Sequence, residues 1–236
     1  VYFLLKPTID ESDWQYFEAM AREVDQATHH VNVLYFQTSW DHSTDPLYKS
    51  LVRACARGVK VRLLIDHHGL RTIPGWRGFT RMLDESGIEW HLMLPMSIFK
   101  GHIRRPDLRN HRKLLIIDGQ KAFIGSHNLV AADYDTPAYQ KAGIEYHDTS
   151  VEVSGVVVRQ VQAAFASDWY YATKQELSFE ELNLSEDGEA NENIMGQPMQ
   201  IIPSGPSYPS EPNLRMFISM VSQARHHVSI DSPHFI

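Results

Sequence analysis

Short apolar runs of strand length alternate with amphipathic stretches of helix length along most of this sequence. Runs typical of strands occur near residues 31–36, 59–66, 88–94, 113–117, 121–125 and 150–153. A capping box at Ser12 begins one stretch of helical periodicity. Three further helical stretches cover residues 45–58, 76–85 and 156–173. Because strands separated by helices of this length fold in layers, the pattern predicts an α/β fold whose sheet is flanked by helices on both faces. Asp118-Gly119 predicts a tight hairpin turn between two of the strands.

The end of the chain repeats part of its beginning. At a constant offset, Val24, Gln26, Ala27, His29, His30 and Val31 are matched by Val221, Gln223, Ala224, His226, His227 and Val228. In both places the pattern predicts the end of a helix followed by the start of a strand. For the second copy these elements are a helix over 213–224 and a strand from His227. The shared context favours a duplicated unit over chance. We therefore predict a first unit over residues 1–175, an acidic linker or loop over 176–198, and the start of a second unit over 199–236. We expect the second unit to continue beyond Ile236 and residues to precede Val1.

Charge and cysteine content narrow the function classes. A formal net charge of −7 argues against coating nucleic acid or anionic lipid with the whole surface. Residues 100–113 are nevertheless basic, with six cations against Asp107. That cluster fits a phosphate-bearing lipid surface or a nucleic-acid backbone, and a solvated loop is the plain alternative. Cys55 is the only cysteine, so no disulfide can form within the chain, and its helical setting predicts a buried small residue.

One motif carries the chemistry, and it reads His111-x-Lys113-x4-Asp118-x6-Gly125-Ser126-x-Asn128. Two positions apart in extended chain, His111 and Lys113 point to the same side, roughly 6–7 Å apart. An imidazole can attack phosphorus and leave again, and a lysine cation suits the non-bridging oxygens. Ser126 and Asn128 offer hydroxyl and amide donors for a phosphate pocket, and Gly125 would let the backbone approach a ligand.

As the third member of the motif, Asp118 is assigned with His111 and Lys113 to the catalytic residues, although it stands at an odd spacing from His111. That spacing and the Asp-Gly turn favour an orienting or structural role for its carboxylate over contact with phosphate. The paired histidines elsewhere lack partners at ligand spacing, so the sequence does not predict a metal site. His67 lies just past a predicted strand end and is a candidate lining residue of the cleft.

The motif resembles that of the phospholipase D superfamily, which uses it twice in one active site. The longer similarity, over nearly all of residues 10–236, is to bacterial cardiolipin synthases, and its most similar segments are 59–66, 109–119, 146–151, 165–169 and 203–206. The resemblance implies a phosphohistidine at His111, phosphate binding by Lys113 and Asn128 with Ser126, and no metal or other cofactor. It also points to Asp148, with Glu145 second, as the carboxylate that orients His111.

The resemblance implies an enzyme that moves a phosphatidyl group from one phosphatidylglycerol to the hydroxyl of another and releases glycerol. Its partners would be the anionic lipid and the membrane surface, at the cytoplasmic face of a bacterial membrane. A second motif would come from the same chain or from a homodimer, because this chain holds only one. Many such synthases have glycine at the position of Ser126. The alternatives are a homodimeric phospholipase D-type nuclease, with nucleic acid as the less favoured partner, and an inactive phosphate-binding module.

Overall fold

The computed structural model describes residues 2–3, 6–8, 13–96, 109–134, 136–146, 148–184, 197–205, 208 and 211–230, with backbone alone at 2–3, 6–8, 13–14 and 197–198. Within these ranges a seven-stranded mixed sheet has the order β2-β8-β7-β6-β3-β4-β5. Its strands are β2 (Lys6–Thr8), β3 (His30–Tyr35), β4 (Lys60–Asp66), β5 (Glu89–Met93), β6 (Leu114–Ile117), β7 (Lys121–Gly125) and β8 (Ser150–Ser154). Strands β3, β4 and β5 are parallel, and the other neighbours are antiparallel. A separate antiparallel pair joins β1 (Tyr2–Phe3) to β9 (Gln197–Pro198).

Helices cover both faces of the sheet, which confirms the predicted α/β layout. The helices are α1 (Asp13–Asp25), α2 (Asp45–Ala56), α3 (His67–Arg71), α4 (Trp76–Ser86), α5 (Pro137–Ala142), α6 (Val157–Thr173) and α7 (Pro212–Gln223). Apolar residues of α1 to α4 form one core cluster with one side of β3 and β4. Those of α6 form a second cluster with the other side. Because successive side chains of a strand point to opposite faces of the sheet, Val33 packs in the first cluster and Leu34 in the second. No helix in the described ranges is long and apolar enough to cross a membrane.

The hairpin between β6 and β7 turns at Asp118-Gly119, as predicted. Both residues have positive φ, 52° and 67°, which is the requirement of a type I′ turn. The beginning of the acidic segment packs against this turn. Asn183 donates to the Asp118 carbonyl at 2.8 Å, Leu182 is buried, and Glu181 pairs with Arg62 at 2.6 Å. At residues 181–183 the segment is therefore anchored to the first unit.

The predicted helix near the end of the chain forms as α7, but the strand predicted from His227 is wrong for the described residues 227–230. That stretch belongs to no strand, and Val228 and Ile230 are 49% and 61% exposed. A strand is stabilised by pairing with a neighbour and by burial of one face. Neither is provided to this segment by the described part of the chain.

Acid should destabilise the fold through His30. The residue is fully buried, and desolvation lowers the pKa of its ring to about 4, while Gln162 lies within hydrogen-bond distance of Nε2 at 2.9 Å. Because the unfolded chain takes up this proton first, the stability is complete above the ordinary pKa of 6.5 and is lost as the pH falls towards 4. Between pH 7 and pH 5 the free energy of unfolding should fall by about 2 kcal/mol, measured by urea denaturation.

The matched variant for that measurement is His30→Gln, which keeps a polar side chain but cannot titrate. Its free energy of unfolding should be lower than that of the parent at pH 7 and should change much less between the two pH values. A parent chain whose stability is the same at both values would contradict the buried neutral imidazole.

Candidate active site

The motif lies at the sheet edge where β3 ends and β6 begins. These two strands are antiparallel neighbours, with Leu34 opposite Leu114. The residues that follow β3 therefore meet those that precede β6. His111 and Lys113 come before β6 in extended chain, and Phe36-Gln37 comes directly after β3. This edge holds the side chains that form the candidate site.

The Phe36 ring lies against both His111 and Lys113. It stacks on the His111 imidazole, with centroids 3.9 Å apart and an angle of 18° between the planes. The Lys113 Nζ lies 5.5 Å from the same ring centroid and donates to the His111 carbonyl at 2.7 Å. His111 as a whole remains exposed. An imidazole held on one face and open on the other is suited to meet a ligand from solvent.

The electrostatics keep both groups in the forms that phosphate chemistry needs. Desolvation, followed by the charge of Lys113, lowers the pKa of His111, and the Asp66 carboxylate opposes that shift. Desolvation lowers the pKa of Lys113 to about 8, with Asp148 acting in the opposite direction. Near neutral pH the imidazole is therefore mainly unprotonated and has a free lone pair, while the ammonium keeps its charge.

Asn128 is brought to the same edge through Gln37. Its Oδ1 accepts from the Gln37 backbone N–H at 3.3 Å, and its Nδ2 donates to the Gln37 Oε1 at 3.2 Å. The same Nδ2 donates to the Tyr134 hydroxyl at 2.9 Å. Desolvation raises the pKa of Tyr134, so the phenol stays protonated. Asn128 is buried and held in a fixed orientation by Gln37, the residue next to Phe36, and its phosphate-binding role stays a prediction.

Ser126 and Gly125 have contacts that the sequence did not predict. The Ser126 Oγ accepts from the Thr149 N–H at 3.1 Å and donates to its carbonyl at 3.4 Å. The hydroxyl thus joins β7 to the residue before β8, although Ser126 itself is exposed. A Cβ on Gly125 would lie 2.3 Å from the Thr149 carbonyl oxygen and 2.4 Å from the Ser150 Oγ. Glycine is needed there for strand packing, and the expected approach to a ligand is corrected to an approach to β8.

Asp118 lies at the opposite end of β6 and has a structural role. Its carboxylate accepts from the N–H groups of Thr28, His29 and His30 at 2.9, 2.8 and 2.9 Å, and from the Thr28 hydroxyl at 3.0 Å. Desolvation would raise the pKa of Asp118, but these hydrogen bonds outweigh it and lower the pKa. Its assignment among the catalytic residues is corrected, in agreement with the alternative that its spacing favoured.

The charge of Asp66 opposes the lowering of the pKa of His111, and the orienting role of Asp148 stays a prediction. Asp148 influences Lys113 and Tyr134, and it is absent from the charges that shift the pKa of His111. Asp66 is buried at the end of β4, where it accepts from the N–H groups of His68 and Gly69 at 2.8 and 3.2 Å. The second choice, Glu145, is exposed.

The basic cluster over residues 100–113 is described only in part, since 100–108 lie outside the described residues. Arg109 is buried, donates to the Leu94 carbonyl at 3.0 Å and lies 3.7 Å from Asp66. Arg112 pairs with Asp168 at 2.6 Å. The described arginines of the cluster therefore face buried carboxylates, which corrects their interpretation as a surface patch.

His67, a predicted lining residue of the cleft, makes a hydrogen bond to the chain that follows β5. The Nδ1 of His67 accepts from the Met96 N–H at 2.8 Å, so the ring holds the chain that leaves β5. Within the described ranges no group of three or more histidine, cysteine, aspartate or glutamate side chains could hold a metal ion.

Four residues near the candidate site were not predicted from the sequence, namely Phe36, Gln37, Asp66 and Tyr134. The first three end or follow predicted strands that the structure shows to be parallel, and the carboxyl ends of such strands are where α/β sites collect. That signal was available, but it does not say which side chain turns towards the motif.

Comparisons with known proteins agree with the motif and the fold. The family model described as cardiolipin synthase, phospholipase D-like domain, matches residues 20–169. Cardiolipin synthase A of Pseudomonas putida is 32% identical over 222 residues, 93% of this chain and 43% of that protein. Cardiolipin synthase A of Yersinia pestis is 29% identical over 225 residues, 93% of this chain and 44% of that protein. The chain thus spans less than half the length of these curated relatives.

Two solved structures share the fold. The phospholipase D family member Nuc from Salmonella typhimurium superposes with a TM-score of 0.50 at 17% identity, covering 74% of this chain and 97% of that one. NucT from Helicobacter pylori has a TM-score of 0.52 at 12% identity, covering 72% of this chain and 96% of that one. At these identities the likeness concerns the fold alone.

Binding of a phosphodiester anion should weaken as the pH rises through about 8, because Lys113 then loses its proton. Dimethyl phosphate is a suitable probe, since it remains a monoanion throughout, and its affinity can be measured by NMR titration. Lys113→Met should reduce the affinity about tenfold below pH 8 and abolish the pH dependence.

Lys121→Met is the matched control, because Lys121 pairs with Glu23 and Glu152 at 2.7 and 3.2 Å, at the other end of the hairpin. It should leave both the affinity and its pH dependence unchanged. An affinity that is flat across pH 8 in the parent chain would contradict a phosphate-binding Lys113.

Proposed function

Because this chain belongs to the cardiolipin synthase family of phospholipase D-like domains, we propose that it provides one catalytic half of a phosphatidyltransferase that acts on phosphatidylglycerol. The observation that carries the proposal is the arrangement of His111 and Lys113 on Phe36, with Asn128 fixed nearby through Gln37. Together, a cation and an oriented amide can bind the phosphodiester, and the neutral imidazole can attack it as a nucleophile.

In the first step a ring nitrogen of His111 attacks the phosphorus of a phosphatidylglycerol. A nitrogen–phosphorus bond forms while the bond between phosphorus and the oxygen of the headgroup glycerol breaks. The departing glycerol takes up a proton. Lys113 neutralises charge on the non-bridging oxygens. A phosphate oxygen would replace the Tyr134 hydroxyl or the Gln37 amide oxygen as the acceptor for the Asn128 Nδ2.

In the second step the hydroxyl of another phosphatidylglycerol attacks the phosphorus. The nitrogen–phosphorus bond breaks, the hydroxyl proton leaves, and neutral His111 is restored as cardiolipin forms. Asp66 stabilises positive charge on the imidazole while that ring is bonded to phosphorus, because its carboxylate opposes the lowering of the pKa of His111. Water in place of the lipid alcohol would give phosphatidic acid instead.

The proton donor of the first step and the base of the second would be the histidine of a second motif, from the same polypeptide or from another copy in a homodimer. The repeated segment supports the first source. Buried Phe17, Met20 and Val24 of α1 correspond, at the repeat offset, to Leu214, Phe217 and Val221 of α7. Those three are 49%, 57% and 53% exposed. This apolar face of α7 is the pattern that α1 uses to cover the sheet in the first unit.

Phosphatidylglycerol also defines the proposed location. Both substrate molecules are anionic lipids, so the site must work at a membrane surface, and we place that surface at the cytoplasmic face of a bacterial membrane.

The transferase proposal predicts that the protein makes cardiolipin and glycerol from phosphatidylglycerol vesicles, in equal amounts. His111→Asn should reduce both products at least about a hundredfold, since removal of a nucleophile removes the covalent route. Thin-layer chromatography of labelled lipid and an enzymatic glycerol assay measure the two products.

His29→Asn is the matched control for the loss of an imidazole. His29 is exposed and lies beside Asp118 at the opposite end of the sheet, so turnover should be kept. Equal turnover by the parent and the His111→Asn variant would contradict the proposal. Cleavage of a DNA oligonucleotide without any lipid product would favour the nuclease alternative. Lipid binding that survives His111→Asn, with no product from either protein, would favour the inactive module.

A further inference from the structure

Asp168, on α6, lies fully buried beneath the catalytic motif. Its Oδ2 accepts from the Asn110 Nδ2 at 3.0 Å and from the Arg112 guanidinium at 2.6 Å. Asn110 and Arg112 are the residues immediately before and after His111. One carboxylate therefore holds the chain on both sides of the proposed nucleophile.

Further hydrogen bonds make this part of the chain rigid. The Asn110 Oδ1 accepts from the Arg112 N–H at 3.0 Å, and the Asn110 N–H donates to the Asp66 Oδ2 at 3.2 Å. Both carboxylates are buried, at 0% and 1% exposure, so neither can exchange these partners for water. The residues on either side of His111 are thus bonded to two different elements, the end of β4 through Asp66 and α6 through Asp168.

Arg112 also reaches a segment far along the chain. Its Nη2 donates to the Ser204 carbonyl, and its guanidinium carbon lies 5.2 Å from the Tyr208 ring centroid. The Gly205 position is adjacent, since a Cβ there would lie 3.6 Å from the same Nη2. The residue between the catalytic histidine and lysine therefore joins α6 of the first unit to the segment that precedes α7.

A planar guanidinium suits this position. Its donors lie in a rigid fork, so one edge can bind a carboxylate while another binds a carbonyl oxygen, which a single ammonium cannot do. A buried ion pair contributes little net stability, but loss of either partner leaves an uncompensated charge. A pair of this kind is better explained by the geometry that it imposes than by stability.

We propose that Arg112 and Asp168 are a positioning pair, which fixes the chain around His111 and makes that geometry depend on the contacts of Arg112 with Ser204 and Tyr208. The inference rests on the proposed function, in which His111 must keep a defined orientation. Through this pair the arrangement of the first motif responds to the part of the chain that leads into the second unit. Neither residue touches the phosphate.

The test compares single and double replacements. Arg112→Met or Asp168→Leu alone should lower the melting temperature strongly, because each leaves one buried charge unpaired. The double variant Arg112→Met/Asp168→Leu should regain most of that loss. Its His111 ring, followed by NMR, should nevertheless titrate closer to the ordinary value of 6.5, because the motif is no longer held. Protease cleavage within residues 199–211 should become at least about tenfold faster.

The kcat and KM for phosphatidylglycerol distinguish a positioning role of the pair from a role in folding alone. The double variant should lose at least about tenfold in kcat with KM changed by less than about threefold, since the loss concerns orientation rather than binding. Arg112→Lys keeps the charge beside Asp168 but not the second contact. It should speed the cleavage at 199–211 even if the double variant fails to fold.

The control is Arg62→Met/Glu181→Leu, which removes an ion pair of similar length at the other end of β4. It should leave the His111 titration and the cleavage at 199–211 unchanged. The proposal is overturned if the double variant matches the parent in both the His111 titration and the rate of cleavage at 199–211. If the double variant does not fold, the same comparison is made with Arg112→Lys. If the parent chain shows no lipid turnover, the proposed function fails, whereas the NMR and protease measurements still decide on the positioning pair.

Discussion

The antiparallel pairing of β3 with β6 is the constraint on which the site depends. Its register places Leu34 opposite Leu114 and Val31 opposite Ile117, so both ends of the motif are fixed at once. At one end, the chain leaving β3 brings the Phe36 ring against His111. At the other end, Asp118 binds the three N–H groups that lead into β3. A shift of one residue would turn every side chain of β6 to the other face and separate the ring from the imidazole.

The buried carboxylates bind other partners, which leaves Lys113 and His111 available to bind a ligand. Asp66 and Asp168 lie in the interior and are bonded to backbone N–H groups, arginines and Asn110. Among the residues that the structure describes, no carboxylate lies within hydrogen-bond reach of Lys113, and desolvation lowers the pKa of its ammonium. A cation that is desolvated but not neutralised by an ion pair attracts an anion strongly, because little of its charge is already compensated. The same environment keeps the imidazole neutral near pH 7.

Features set by neighbouring residues were predictable, and features set by distant pairing were not. The strand alternation, the Asp118-Gly119 turn and the α/β layering follow from local patterns, and all three are present in the structure. The stacking of Phe36 on His111 depends on strand register, so no local pattern predicts it. Gly125 was assigned to a ligand because its close neighbour across the sheet, Thr149, cannot be inferred from sequence. The strand at His227 failed for a related reason, since β-propensity acts only when a partner strand is present.

Trapping the covalent intermediate would show whether His111 is the nucleophile. The protein would be mixed with phosphatidylglycerol labelled in its phosphate and quenched in alkali, in which a phosphohistidine survives. Peptide mass spectrometry would then locate the label. We expect a nitrogen–phosphorus adduct on His111 that carries the phosphatidyl group or its deacylated remnant, and none on the other histidines of the chain. Label on a different residue, or lipid turnover without any adduct on His111, would contradict a nucleophilic His111.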